Sequence, residues 1–120
     1  MIIIATKWTH QHEDGTSILG FLNETEDEYI LIMHTLEHDD QEDKLDINSH
    51  YLEINDQSIG SYDAVERVEF SSNEIRLKIN SSAREKMGVE MVTIKLDQNF
   101  DLIAEILRNE MKIEDIEYAR

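Results

Sequence analysis

The 120-residue sequence contains no cysteine and no proline, and it has only four glycines. Without cysteine, the chain can form neither a disulfide nor a thiolate metal site, so nothing in it requires an oxidising compartment. No glycine-rich loop of the kind that cradles phosphates is present. The missing residues exclude a disulfide scaffold, a zinc-finger module and a nucleotide-binding loop.

Long apolar runs are also missing. No stretch approaches the ~20 apolar residues of a membrane span. The apolar start at residues 2–4 is shorter than a signal-peptide core, and no basic residues precede it. Hydrophobic residues make up 40% of the chain and charged residues 32%. We therefore expect a cytoplasmic protein whose residues 1–120 form a single domain with one core.

Basic residues are scarce: 11 of them face 27 acidic residues, and the net charge is −16. The excess is uneven, because residues 1–60 hold 14 acids and only Lys7 and Lys44, which gives −12. Such a surface repels nucleic acid and anionic membranes and attracts a basic protein. Acidity that serves solubility alone is the other interpretation.

The sequence carries no catalytic signature such as G-x-S-x-G or H-E-x-x-H. His10 and His12 form an H-x-H pair, which on one strand face could share a metal ion. The stretch is nevertheless turn-like, it ends in the hairpin signal Asp14-Gly15, and no third histidine clusters with the pair in the sequence. We expect no enzyme, no cofactor and no metal site.

Five acidic residues lie within the segment E-H-D-D-Q-E-D at 37–43. Such a run cannot be buried, so we expect a solvated loop. Its alternating oxygen side chains lack the central glycine and the distal glutamate of a calcium-binding EF-hand loop. An anionic contact for a basic partner is the functional interpretation.

Alternating apolar and polar residues predict a series of strands. Their ranges are 2–8, 17–22, 28–36, 50–54, 63–70, 73–79 and 89–96. Ser82 and Glu85 form a capping box for a short helix that ends before Gly88. A longer helix should begin at Asp97 or Asn99 and end near Met111. Its apolar stripe consists of Phe100, Ile103, Ala104, Leu107 and Met111.

These elements indicate an α+β domain with a mostly antiparallel sheet of six or seven strands. The C-terminal helix should pack on one face of that sheet. Residues 113–120 either extend this helix or return as a short strand.

A polar loop is expected at 55–62, between the strands that end near Ile54 and begin near Asp63. Asp56 should accept hydrogen bonds from the turn backbone, and Gly60 should supply a positive φ. Tyr62 is an aromatic residue beside that turn. On turn chemistry alone, these residues serve structure only.

The pattern E-I-N-D-Q-x-x-G-x-Y-D-x-V-E-x-V-E-F at 53–70 resembles the hallmark segment of the immunity protein 10 family. These are bacterial proteins encoded beside polymorphic toxins. The similarity continues through the alternating run at 73–79 and into the helix at 94–111. Residues 1–50 match only loosely, in size and strand content.

The resemblance implies an immunity protein that neutralises a cognate toxin by direct, non-catalytic binding. We expect a basic toxin surface, and a nuclease is one class, because the acids would then stand in for phosphates. The chain would act as a monomer or homodimer. The expected contact residues are Glu37, Asp39, Asp40, Glu42, Asp43, Asp56, Gln57 and Tyr62. The alternative is a structural or regulatory acidic domain that self-associates through an exposed sheet edge.

Overall fold

The computed structural model describes residues 1–35, 49–96 and 98–118. Within these residues the chain forms ten strands and two helices. The strands are β1 Ile2–Ile4, β2 Lys7–Glu13, β3 Thr16–Leu22, β4 Tyr29–Thr35, β5 Tyr51–Ile54, β6 Asp56–Tyr62, β7 Val65–Ser71, β8 Glu74–Ile79, β9 Met91–Lys95 and β10 Ile116–Tyr118. The helices are α1 Ser81–Met87 and α2 Phe100–Asn109.

The strands form two sheets of five. The meander sheet has the order β2-β3-β4-β5-β6, and each neighbouring pair is antiparallel. The terminal sheet has the order β1-β9-β8-β7-β10. Its three central strands are antiparallel, whereas β1 runs parallel to β9 and β10 runs parallel to β7. The edges of the terminal sheet are therefore made by strands from opposite ends of the chain.

The predicted α+β class is confirmed, but the single sheet of six or seven strands is wrong. The strand predicted at 2–8 is divided between the two sheets. The amide of Ala5 donates to the Lys95 carbonyl of the terminal sheet at 3.1 Å. The amide of the next residue, Thr6, donates to the Leu22 carbonyl of the meander sheet at 3.0 Å. Two adjacent residues thus bond to different sheets, and the chain crosses from one to the other between them.

The polar loop predicted at 55–62 is also wrong, because these residues form one turn residue followed by β6. Asn55 turns the chain with a φ of 60°. Its side-chain oxygen accepts the amide of Tyr29 at 2.7 Å, and its own amide donates to the Tyr29 carbonyl at 3.0 Å. β6 lies at the edge of the meander sheet and starts with three exposed residues, so its sequence lacks the alternation of a half-buried strand.

One hydrophobic core takes side chains from both sheets. On each sheet, buried residues alternate with exposed or half-buried ones, as expected for strands with one covered face. The largest fully buried side chains include Phe21, Leu19, Ile30, Ile32 and Leu52 from the meander sheet and Ile3, Phe70, Ile75, Leu77, Ile79 and Ile94 from the terminal sheet.

Helix α2 adds its apolar stripe to this core. Its buried residues are Ile103, Ala104, Ile106 and Leu107. At its start, the Phe100 ring lies 5.2 Å from the Phe70 ring of β7. Beyond its end, the carbonyl of Glu110 accepts a hydrogen bond from Nδ1 of His34 on β4 at 2.9 Å. α2 therefore contacts both sheets, whereas the sequence predicted a helix on one face of a single sheet.

Helix α1 is capped differently from the prediction. Its N-cap is Asn80, whose side chain accepts the amide of Ala83 at 2.8 Å, so the predicted capping box at Ser82 is wrong. Gly88 ends the helix with a φ of 76°, and its amide donates to the Arg84 carbonyl at 2.8 Å. Glycine is the residue that adopts this left-handed conformation without a steric penalty, and the prediction at this end is confirmed.

The open question about residues 113–120 is answered for 116–118, which form β10. Asn99 is the N-cap of α2, although its side chain makes no capping hydrogen bond. The alternative cap, Asp97, lies outside the described residues. Among the described residues, no helix combines the length and the apolar character needed to cross a bilayer.

Candidate functional site

Three tyrosines lie on the outer face of the meander sheet, opposite the core. Tyr29 is on β4, Tyr51 on β5 and Tyr62 on β6. The register sets Tyr51 between Met33 and Tyr62, so these residues form one row across three strands. The tyrosine face, defined here by Tyr29, Tyr51, Tyr62 and the Glu53 between them, is the aromatic surface of this sheet.

Glu53 is the centre of the tyrosine face, and its side chain is buried, with 7% of the residue exposed. The Tyr29 hydroxyl donates to its Oε2 at 2.6 Å, and the Tyr51 hydroxyl donates to its Oε1 at 3.2 Å. A buried carboxylate is costly unless it is hydrogen-bonded, and here each oxygen accepts a phenol. Glu53 therefore fixes the orientation of two aromatic rings on the surface.

Glu53 also keeps both phenols protonated. The hydrogen bond to its carboxylate, with burial and its negative charge, raises the pKa of Tyr29 to about 12. Burial, followed by the charge of Glu53, raises the pKa of Tyr51. A phenol is protonated at neutral pH in any case, and the raised pKa values extend this protonation to more alkaline pH.

Gly60 makes room for the Tyr51 ring. A Cβ atom at position 60 would lie 2.0 Å from the Tyr51 hydroxyl oxygen and 2.6 Å from its Cζ. The predicted positive φ at Gly60 is wrong: among the glycines, positive φ values occur at Gly15 and Gly88. Position 60 requires a residue without a side chain because the Tyr51 phenol lies directly over the backbone of β6.

A cavity of about 330 Å³ opens beside Tyr51 and Tyr62. Its lining residues are Thr16, Met33, His34, Thr35, Ser49, Tyr51 and Tyr62. Thr35 and Ser49, the described residues on either side of 36–48, both line this cavity, and the acidic segment lies between them in the sequence. The predicted contact residues Glu37, Asp39, Asp40, Glu42 and Asp43 themselves lie outside the described residues.

The other predicted contact residues lie on β6. Tyr62 is 55% exposed, and its ring centroid is 5.1 Å from that of Tyr51. Asp56 and Gln57 are exposed at the opposite end of the strand. The Asp56 side chain accepts the amide of Ser58 at 2.8 Å, and this bond lowers the pKa of Asp56. The expected hydrogen bond from nearby backbone to Asp56 is therefore present, but that backbone belongs to β6 and not to a turn.

Sequence reasoning missed Tyr29, Tyr51 and Glu53 as members of this site. Period-two alternation places Tyr29 on the less apolar face of its strand, which was a usable signal. The pairing of β4 with β5, which brings Tyr29 and Glu53 together, is a tertiary property that the alternation does not contain.

The family model for immunity protein 10 matches residues 4–104. The chain belongs to the immunity protein 10 family. The matched range includes all five strands of the meander sheet and the whole tyrosine face, so the family likeness is not confined to the C-terminal part of the chain. No curated protein and no solved structure matches the chain. Membership in the family gives the chain a role in toxin immunity.

The outer face of the terminal sheet of this immunity-family chain differs in character from the tyrosine face. It carries a row of side chains of alternating charge, which we call the paired-charge face. In order across the sheet, the row consists of Glu117, Arg67, Glu69, Arg76, Glu74 and Lys95. From Arg67 to Lys95 the successive N···O distances are 3.6, 3.7, 2.8 and 3.0 Å. The charges of this row compensate one another within the molecule.

A second cluster of this family member joins β2 to the end of α2. Nε2 of His10 lies 3.2 Å from Oε1 of Glu110, and Nε2 of His12 lies 2.5 Å from the same atom. Nε2 of His10 also lies 3.0 Å from the Ser17 hydroxyl. Burial alone would raise the pKa of Glu110, but the bonds from His12 and Ser17 and the two imidazole charges together lower it.

Of the predictions around this pair of histidines, one is wrong and one is confirmed. Residues 9–13 belong to strand β2 and are not part of a loop, while Asp14 and Gly15 do form the predicted turn, with φ values of 51° and 78°. The third potential metal ligand that the sequence did not reveal is Glu110.

His50 stands where the two sheets join. Its Nε2 accepts the amide of Val65 at the start of β7 at 3.0 Å, and its carbonyl accepts the amide of Asp63 at 2.7 Å. Burial lowers the pKa of His50 to about 4, so the imidazole is neutral at physiological pH. A neutral ring is required here, because a protonated Nε2 would direct a hydrogen at the Val65 amide.

Proposed function

We propose that this chain neutralises a cognate bacterial toxin by direct, non-catalytic, one-to-one binding, and that the tyrosine face is the surface that contacts the toxin. The producing cell's cytoplasm is the proposed place of action. The observation that carries the proposal is the ordered aromatic surface around Glu53, which ends in the exposed Tyr62 beside a cavity.

Tyrosines suit a binding surface for energetic reasons. They bury a large area with few rotatable bonds, and they are enriched among the residues that dominate interface energies. Here Tyr29 and Tyr51 are already oriented by Glu53. A partner would therefore lose little free energy in ordering these side chains.

The acidic segment at 37–43 is the proposed rim of this surface. Thr35 and Ser49, the described residues nearest to it in the sequence, line the cavity next to Tyr51 and Tyr62. Charges near the edge of an interface act mainly by steering the partner during its approach. A basic toxin would be attracted by the −12 charge of residues 1–60. For a nuclease, the acids would occupy the place of substrate phosphates.

Asp56 and Gln57 are the proposed contacts at the far end of β6. Asp56 lies close enough to Tyr29 for its charge to contribute to the raised pKa of that phenol. Asp56 thus borders the tyrosine face at the end opposite to Tyr62. A partner that covers the whole face would reach it and the adjacent Gln57.

Self-association through a sheet edge is the second candidate. Strand β1 is an edge of the terminal sheet, and Ile2 and Ile4 on it are 63% and 67% exposed. An edge strand with exposed apolar side chains is a template for pairing with another chain. Substitution of Ile2 and Ile4 by Lys separates the candidates: it should abolish a homodimer seen by light scattering but leave toxin binding unchanged.

The decisive test is the substitution Tyr62→Ala, measured against the toxin encoded beside the gene. We expect the affinity for the toxin to fall by about tenfold or more, since exposed aromatic anchors often contribute 2 kcal/mol or more to an interface. Growth protection of a toxin-sensitive cell should fall in parallel.

Tyr118→Ala is the matched control. Tyr118 is 51% exposed but lies on β10 of the terminal sheet, away from the tyrosine face. It should leave toxin affinity unchanged. If the wild-type chain fails to protect the cell, the immunity proposal is wrong. If Tyr62→Ala protects and binds as well as the wild type, immunity stands but the tyrosine face is not the contact surface.

A further inference from the structure

The His10–His12–Glu110 cluster has the composition of a transition-metal site. His10 and His12 are two residues apart on the inner face of β2, so both rings extend to the same side of the meander sheet. Glu110 is the residue that directly follows helix α2, and its side chain contacts both imidazoles. Ligands that are nearly a hundred residues apart in the sequence are thus brought to one point by the fold.

The ligand atoms are already close to coordination geometry. One ligand atom from each side chain lies within 4.8 Å of the other two. Zinc binds imidazole nitrogen and carboxylate oxygen at about 2.0–2.2 Å, which places ligand atoms of a tetrahedral site about 3.3 Å apart. The observed separations from Glu110 Oε1 are 3.2 Å to His10 and 2.5 Å to His12. The two histidine nitrogens lie within 4.8 Å of each other, so small side-chain shifts bring all three ligand atoms to this spacing.

Surrounding groups hold the carboxylate in place. The Glu110 carbonyl accepts a hydrogen bond from His34, which ties the end of α2 to β4. Ser17, which is fully buried, hydrogen-bonds to the Glu110 carboxylate. Its contact to Nε2 of His10, the nitrogen that would coordinate the ion, gives way when zinc binds. The C-terminus of a helix also favours a nearby cation because its free carbonyls carry partial negative charge. The site therefore has supporting contacts of the kind that orient metal ligands.

We propose that His10, His12 and Glu110 bind one Zn²⁺ ion. Two imidazoles and one carboxylate match the ligand preference of zinc, whereas calcium and magnesium prefer sets made of oxygen alone. The His12 side chain is 54% exposed, which gives the ion an entry path and leaves the fourth position to water. The ion would connect the edge strand of the meander sheet to the end of α2.

This site is independent of the proposed toxin contact. The two histidines point to the inner side of the meander sheet, and the tyrosine face lies on its outer side. Glu110 lies beyond residues 4–104, the range that matches the family. Zinc binding is therefore a property we assign to this chain on its own contacts.

Isothermal titration of the full chain with zinc sulfate tests the proposal. We expect one ion per chain with a sub-micromolar dissociation constant and a higher melting temperature with zinc. Calcium chloride should give no stoichiometric signal. In the nitrogen-15 spectrum of the imidazole rings, zinc should shift the resonances of His10 and His12.

His12→Asn and Glu110→Gln should each weaken zinc binding by about 100-fold or more, since even supporting residues around a metal typically contribute 10- to 100-fold. His12 is half exposed and Gln retains hydrogen-bonding groups, so both variants should fold. Glu13→Gln is the control: it removes one acid beside His12 on the same strand and should bind zinc as the wild type does. Millimolar binding to the wild type, or equal binding to wild type and His12→Asn, would overturn the proposal.

Discussion

The charged side chains on the outer faces of the two sheets are compensated by different kinds of partner. On the paired-charge face, acids and bases alternate across neighbouring strands, so the terminal sheet satisfies its own charges. On the tyrosine face, one buried acid is satisfied by phenols, and the aromatic rings beside it remain at the surface. The first arrangement leaves little for a partner to recognise, whereas the second presents ordered aromatic area.

The same contrast extends to the net charge of the two halves. Residues 61–120 carry 13 acids and 9 bases, which nearly compensate. Residues 1–60, which supply all strands of the meander sheet apart from the end of β6, carry most of the excess negative charge. The uncompensated charge therefore lies in the half of the chain that supplies Tyr29, Tyr51, Glu53 and most of the meander sheet. This contrast supports the proposal that the meander sheet carries the toxin contact.

The largest predicted effect is a loss of folding stability at acidic pH, and it should come from His50, where the two sheets join. Its folded-state pKa, about 4, is below the ordinary value of 6.5, so the unfolded chain binds the proton more readily between these values. Stability is thus fully present above about pH 6.5 and is lost as the pH falls toward 4. A shift of this size corresponds to a loss of folding free energy on the order of 3 kcal/mol.

Urea unfolding of the wild type and of His50→Gln at several pH values measures this loss. Gln can still accept the Val65 amide but has no proton to bind in this range. The difference between the two curves isolates His50 from the carboxylates that titrate lower. Parallel pH dependences of the two proteins would show that His50 is not responsible.

The second-largest predicted effect is a loss of stability and of toxin affinity when Glu53 is replaced. Glu53→Ala removes a buried carboxylate and leaves the hydroxyls of Tyr29 and Tyr51 without their acceptor. We expect the free energy of unfolding to fall by about 2 kcal/mol, the cost typical of a lost hydrogen bond to a charged group. Chemical denaturation measures the change, and toxin affinity should fall as well because the rings lose their fixed orientation.

Glu69→Ala on the paired-charge face is the control for Glu53→Ala. Its contacts to Arg67 and Arg76 are 3.6 and 3.7 Å and partly exposed, so the change should stay below about 1 kcal/mol. If Glu69→Ala lowers the free energy of unfolding as much as Glu53→Ala does, the two faces do not differ in how much their acidic residues stabilise the fold.

The smallest predicted effect is on the rate at which the chain associates with the toxin. Lysine substitution of Asp39, Asp40, Glu42 and Asp43 should slow association with a basic toxin by about tenfold at low salt, with little change in dissociation. Surface plasmon resonance at two salt concentrations measures both rates. Faster dissociation as the main effect would place these acids inside the interface, and unchanged association would remove them from the mechanism.

Much of the terminal sheet could be predicted because its strands alternate clearly. In Glu74–Ile79, for example, three buried apolar residues alternate with charged ones, and the stripe on α2 follows the helical period equally well. Gly88 also identified the end of α1, since its backbone conformation favours glycine. Where local pattern and tertiary environment agree, the sequence predicts the element.

The errors occurred where a tertiary contact decides the structure. No glycine or proline marks the crossing between Ala5 and Thr6, so two strands looked like one. β6 is an exposed edge strand whose polar residues resemble a loop. The Glu53 hydrogen bonds and the approach of Glu110 to the histidines join distant segments, and no periodicity in the sequence encodes them.

The parallel edges of the terminal sheet also determine the order in which the chain can fold during synthesis. Each strand of the meander sheet pairs with its neighbour in the sequence, so that sheet is complete once Tyr62 has emerged from the ribosome. In the terminal sheet, β1 can pair only after β9 has been synthesised, because Ile3 pairs with Ile94. The outer edge of β7 likewise stays unpaired until β10 has been synthesised. Such distant pairings are slow to close because of the chain entropy they cost. We expect the tyrosine face to take shape while the edges of the other sheet are still open.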